Sequence, residues 1–193
     1  MPIIYINRCS LKRIAITLSI LAALLLSAHL EAQERKSGIR AGYLRSASEL
    51  DGTSALDGFY IGFAHDNPIG QSKFLWIHGG TEYTQAGWSI TDNTFHRLHY
   101  ISLPGALKVK LGPVFVQGGL ALNFKVAERV YFDGEDAKTD DNKSKIFNLP
   151  VHAGLGVMLG PVMVEARYNY GLLTVHDDGY HVGYLQLGAG LLF

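Results

Sequence analysis

The chain has 193 residues, with 17 Lys and Arg against 17 Asp and Glu. That length holds one domain once a leader is removed, and a formal net charge of zero gives no electrostatic footprint for a nucleic-acid partner. Charged residues are only 18%, low for a soluble domain, while 22 Gly and 11% aromatics suit strands and turns better than helix bundles.

Residues 1–32 read as a cleaved secretory signal. Arg8, Lys12 and Arg13 form a basic head, and Ile14 to Ala28 an apolar run. That run falls short of the roughly 20 residues a spanning helix needs. Cleavage after Ala32 leaves Gln33 first, so 33–193 is the expected mature domain. The single cysteine, Cys9, lies in the leader without the apolar run upstream that lipidation needs.

From Gly38 onward the apolar pattern has period two, the mark of strands with one greasy face. Ile39, Ala41 and Tyr43 alternate with Arg40, Gly42 and Leu44. Phe59, Ile61 and Phe63 alternate with Tyr60, Gly62 and Ala64. Asp66 to Gly70 reads as turn chemistry. Leu75, Ile77, Gly79, Thr81 and Tyr83 run against Trp76, His78, Gly80, Glu82 and Thr84. A loop is expected around 87–95.

The fourth segment sets Ile101, Leu103, Leu107 and Leu111 against Tyr100, Ser102, Lys108 and Lys110. Leu111-Gly112-Pro113 turns the chain into Val114, Val116, Leu120, Leu122, Phe124 and Val126. Phe115, Gln117, Ala121, Asn123 and Lys125 oppose them. Asp133 to Lys145 is a charge run, expected to be a solvated loop; its acids lack the spacing of a calcium loop. Phe147 to Leu159 and Val162 to Tyr170 repeat the alternation about a second turn, Leu159-Gly160-Pro161. Met163, Glu165 and Arg167 lie on the polar face. The last strand ends on Phe193.

This gives an all-β chain of about eight strands, several near the 9–11 residues that cross a bilayer when tilted. Short connections at 66–72, 111–113 and 159–161 alternate with longer, polar ones near 46–57, 87–95, 131–145 and 172–180. The expected fold is a closed antiparallel up-and-down transmembrane β-barrel. Its termini and short turns are expected on the periplasmic side, with longer loops outside. The polar face carries few charges and much Gly and Ala. It suits a narrow lumen better than a water-facing coat, and closure satisfies the backbone groups a membrane cannot. Outer-membrane lipid then covers the greasy face, with Tyr43, Tyr83, Tyr168, Tyr170 and Phe193 as its aromatic rims.

Two segments carry a family resemblance. Tyr100-Ile-Ser-Leu-Pro104, running on to Lys108 and Lys110, resembles the Y-L-E-I-P-L-L-L-K-Y segment of the porin-family outer-membrane β-barrel domain. That family includes the PorT-like group and is akin to small barrels of the OmpX and OmpA type. Glu165 to Gly171, E-A-R-Y-N-Y-G, resembles the near-terminal strand of the same family. Phe193 resembles the C-terminal aromatic signal read by the barrel-assembly machinery, which is thus an expected partner during insertion. Ser102 stands where the family often has Glu, which removes an inward carboxylate beside Lys108.

Inward Glu82, Lys108, Lys110, Glu165 and Arg167 form the candidate site, a lumen charge network that either plugs the barrel or lines a narrow passage. The plug is favoured for so few strands. An enzyme is not expected. Ser102 and His152 both point inward, and Glu82, Glu165 or Asp177 could supply an acid, but a mid-lumen trio has no substrate route. No metal site is expected from His96 and His99 or from His176 and His181, because strand residues three or five apart face opposite ways. Gly118-Gly119 has no phosphate-loop context, and no cofactor is expected. The functional expectation is a monomeric barrel with a structural or surface-interaction role, its extracellular loops meeting a ligand or partner protein. A passive channel and a lipid A-modifying enzyme are the alternatives. Assistance to a secretion machine, as in the PorT-like group, is a third.

Overall fold

The structure, a computed structural model, describes residues 36–91, 93–132, 135–136, 144–175 and 179–193. The expected signal, most of the charge run after Phe132, and His176 and Asp177 lie outside the described residues.

Ten strands form: β1 (Lys36–Ser48), β2 (Ser54–Pro68), β3 (Leu75–Thr91), β4 (Thr94–Leu111), β5 (Val114–Phe132), β6 (Glu135–Asp136), β7 (Phe147–Asn148), β8 (Pro150–Leu159), β9 (Val162–Gly171) and β10 (Val182–Leu192). β7 and β8 are one barrel strand interrupted at Leu149, since both pair with β5. β6 is a two-residue appendage on the end of β5. The remaining order is β4-β3-β2-β1-β10-β9-β8-β5, and β4 pairs with β5. The sheet is therefore a closed eight-stranded antiparallel barrel with no free edge around its waist.

The tight turns follow from residue chemistry. Gly112 and Gly160 have φ of 67° and 63°. Proline fixes the next φ near −65°, so each Gly-Pro pair meets the demands of a type II′ hairpin turn. The prolines sit in the turns, one residue before β5 and β9, where no ladder donor is lost. Their carbonyls accept from neighbouring strands: Met158 N to Pro113 O at 2.7 Å and Leu192 N to Pro161 O at 2.7 Å.

Side-chain direction obeys the alternation. Ile39, Ile61, Ile77, Leu107, Val116, Leu155, Val164, Leu187 and Leu191 are exposed around the outside, and Tyr43, Tyr168 and Phe193 with them. Aromatic contacts join the rims, Phe59 with Tyr83 at 5.8 Å and Phe63 with Phe193 at 6.3 Å between ring centroids.

Three expectations about loops need correction. The connection expected near 46–57 shrinks to 49–53, between β1 and β2. Residues 87–95 are mostly strand: Gly87 pairs with Arg97, Trp88 with His96 and Ser89 with Phe95. The ladder continues past the apolar belt, where the outward face turns polar (Arg97, Arg129) and the greasy alternation that marked the strand disappears. Likewise Asp66, Asn67 and Pro68 are not a turn but the end of β2, paired with His78, Ile77 and Trp76. A β-bulge at Val126 makes a further change. Tyr100 pairs with Lys125 and His99 with Ala127, so one residue is extra and the inward phase of β5 shifts to Glu128.

Candidate functional site

The barrel lumen is packed. At the end holding the chain terminus and the Gly-Pro turns, Phe115, Met163 and Leu192 form an apolar cluster with Met158 against it. Beside them lies the first charged group. The Asp66 carboxylate accepts from Lys108 Nζ at 3.0 and 2.9 Å, stands 3.1 Å from Lys110 Nζ, and meets His78 Nδ1 at 2.6 Å. Both ammonium groups also lie over aromatic rings, Lys108 4.5 Å from the Phe115 centroid and Lys110 3.3 Å from that of Trp76.

Farther along the lumen is a second group. Arg167 donates two bonds to Glu82, at 2.6 and 2.9 Å, and Arg40 also pairs with Glu82. Arg40 reaches on to Glu165 at 3.2 Å, and Glu165 accepts from Tyr60 Oη at 3.2 Å and Gln117 Nε2 at 3.3 Å. Four cations (Arg40, Lys108, Lys110, Arg167) thus meet three carboxylates (Asp66, Glu82, Glu165), all buried. Burying charge is costly unless it is paired and hydrogen-bonded, and each carboxylate here has at least two cationic or donor neighbours.

Two amide contacts follow, Asn123 Nδ2 to Tyr184 Oη at 3.2 Å and Asn169 Nδ2 to Gln186 Oε1 at 2.9 Å. Beyond them Leu44, Ala86, Trp88, Leu98, Tyr100, Val175, Val182 and Tyr184 close the lumen with Tyr180 against them. At the loop end, Glu128 gathers His96 Nε2 at 2.5 Å, Lys125 Nζ at 2.5 Å and Ser144 Oγ at 2.9 Å.

All five residues singled out from the sequence are on the lumen side: Glu82, Lys108, Lys110, Glu165 and Arg167. They fall into two groups rather than one. Glu82, Glu165 and Arg167 meet through Arg40, and the two lysines gather on Asp66. The partner of Lys108 is thus a carboxylate on β2. Ser102 itself lies opposite Glu82, six residues along β4 from Lys108, so position 102 and the Asp66 group stand at different levels of the lumen. Arg40 and Asp66 were not singled out. Parity alone could have found both: Arg40 lies between outward Ile39 and Ala41, and Asp66 continues the inward series Tyr60, Gly62, Ala64. Turn-like Asp-Asn-Pro composition hid the second.

Small residues make room for these groups. A Cβ on Gly188 would lie 2.1 Å from Tyr60 Oη, and one on Gly156 would lie 2.4 Å from Phe115 Cζ. The two large rings occupy space that the glycines leave.

Ser102 and His152 are both buried, but Ser102 Oγ and both His152 ring nitrogens make no hydrogen bond with any described residue. No nucleophile–base contact is assembled. Among the described residues no group of three His, Cys, Asp or Glu side chains has metal-site geometry.

Over residues 34–177 the chain matches the family model described as outer membrane protein beta-barrel domain. No curated protein matches it. Among solved structures it is similar to Ail, the attachment invasion locus protein of Yersinia pestis, in complex with the heparin analogue sucrose octasulfate. The TM-score is 0.55 at 20% identity, covering 83% of this chain and 100% of that one. It is also similar to neisserial surface protein A, with TM-score 0.53 at 20% identity over 82% of this chain and 97% of that one. At such identities the likeness is one of fold.

Proposed function

The chain belongs to the outer membrane protein beta-barrel domain family and is a small barrel of the Gram-negative outer membrane, and from that premise we propose that it works at the cell surface through its loops, with its lumen closed. The observation that carries this reading is the packed lumen. Between the Phe115 and Trp76 end and the Trp88 and Leu98 end, the lumen holds two apolar clusters with ion-paired and hydrogen-bonded side chains between them. Eight strands leave an interior just wide enough for such filling. The long connections between β5 and β7 and between β9 and β10 then supply the surface available to a ligand or partner protein.

In this reading residues 1–32 are removed on export, and the termini with the two Gly-Pro turns are periplasmic. Phe193, 74% exposed at the end of the last strand, serves the barrel-assembly machinery as its recognition residue. The closed sheet offers no edge to a second copy, which supports a monomer. In this reading the protein is not an enzyme.

Planar-bilayer recording of the purified barrel tests the closed lumen. The expected record is flat apart from rare, brief events. Steady open-state currents would establish the channel alternative instead.

A further inference from the structure

On the outer face of β4 and β5 one cross-strand pair breaks the usual rule of charge. Arg97 lies directly opposite Arg129. Like charges at opposed positions repel and destabilise a sheet unless something neutralises them. Among the described residues neither guanidinium forms an ion pair with a carboxylate. Of the described acids on these strands and the adjoining wall, Asp57 accepts from the Tyr43 hydroxyl and Glu128 points inward to His96, Lys125 and Ser144. Arg97 donates to the Asp57 backbone carbonyl at 3.3 Å and lies 5.2 Å from the Phe95 ring centroid, which fixes its side chain against the wall.

The vertical order of this face is equally specific. Ile101 pairs with Phe124 and Leu103 with Leu122, in the apolar belt. One step up, Tyr83 Oη bonds His99 Nδ1 at 2.5 Å, and His99 Nε2 has no partner among the described residues. Next come Arg97 and Arg129. Above them Phe95 and Tyr131 are stacked, with centroids 4.8 Å apart at 24°. From belt to loop end the wall therefore reads apolar, single donor, paired cations, flat aromatic surface.

We propose that this strip binds a phosphorylated glycolipid of the surrounding leaflet. Its acyl chains lie along Ile101, Leu103, Leu122 and Phe124, its phosphate bridges Arg97 and Arg129, and a sugar face lies on Phe95 and Tyr131. Arginine is the side chain best suited to phosphate, because its planar fork can donate two parallel bonds. An anionic headgroup removes the repulsion that the bare pair carries. The proposal rests on the orientation given above, in which the loop end faces the outer leaflet.

The test uses the refolded barrel in detergent micelles, with bis-phosphorylated lipid A and its enzymatically dephosphorylated form as probes and bound lipid counted by native mass spectrometry. The expected result is binding of the phosphorylated form at least about tenfold tighter than the dephosphorylated one. Equimolar inorganic phosphate is expected not to displace it. Arg97→Gln and Arg129→Gln should each weaken binding several-fold, and together should abolish the preference. Equal binding of the two forms by the unaltered protein overturns the proposal whether or not the variants fold, and so does an undiminished preference in the folded double variant. Orientation is read separately, by labelling Asp51→Cys and Gln71→Cys in intact cells with an impermeant maleimide. Labelling at 71 and not at 51 defeats the orientation while leaving the phosphate preference to be judged on its own.

Discussion

Replacing Glu82 by Gln keeps the shape of the side chain and removes its charge. Arg167 is 1% exposed, and Glu82 is its carboxylate partner within ion-pair distance. Arg40, the other cation on Glu82, retains Glu165. The variant therefore strands one fully buried guanidinium, not two. Breaking a buried pair by removing one member costs about 3–5 kcal/mol. Because Arg40 keeps a partner and Gln can still accept one bond, the expected loss lies at the low end, about 3 kcal/mol. At 1.36 kcal/mol per decade that is roughly a 100-fold rise in the unfolding constant. The assay is urea unfolding in lipid vesicles, followed by the fluorescence of the two buried indoles, Trp76 and Trp88. Glu82→Gln with Arg167→Met should cost less than the sum of the two single changes by at least about 1 kcal/mol, as contacting residues do. A single variant within about 0.5 kcal/mol of the parent, or strict additivity, would refute the idea that the two side chains form one electrostatic unit.

Asp66→Asn should destabilise by a comparable amount, about 3 kcal/mol, because two ammonium groups lose the carboxylate they share. The unfolding assay used for Glu82→Gln reads that loss. Gly188→Val should lower stability by about 1–3 kcal/mol by displacing Tyr60 from Glu165, whereas Gly105→Ala, whose Cβ meets nothing nearer than 4.0 Å, should leave the melting profile in place. On the outer face, Leu107→Arg should cost about 2–4 kcal/mol, seen as a loss of the heat-modifiable folded band, since Leu107 is 55% exposed within the apolar belt.

Fold and facing were legible in the residues. Period-two alternation from Ile39 to Phe193, broken by glycine-containing turns, is a local property, because successive side chains of a strand leave on opposite sides. The Gly-Pro turns needed no tertiary information, since proline and glycine limit their own dihedrals. For the same reason Glu82, Lys108, Lys110, Glu165 and Arg167 could be assigned to the lumen from parity alone.

Pairing within the lumen was not legible. Arg40 and Glu165 are 125 residues apart, and Arg167 and Glu82 are 85 apart. Which inward charges share a level depends on closure of β4 onto β5 and on the stagger of eight strands, neither of which any single strand encodes. Strand limits failed for a related reason. The greasy signal marks the height of the apolar belt, not the length of the ladder, so β3 and β4 continued through residues expected as loop. The bulge at Val126 shifted Glu128 inward by one unpaired residue, a change that an ideal alternation cannot foresee. By itself, then, the sequence determined a two-faced sheet and the solvent each face prefers. The closed tertiary structure decided which buried cation meets which carboxylate, because only closure brings strands distant in the chain to a common level.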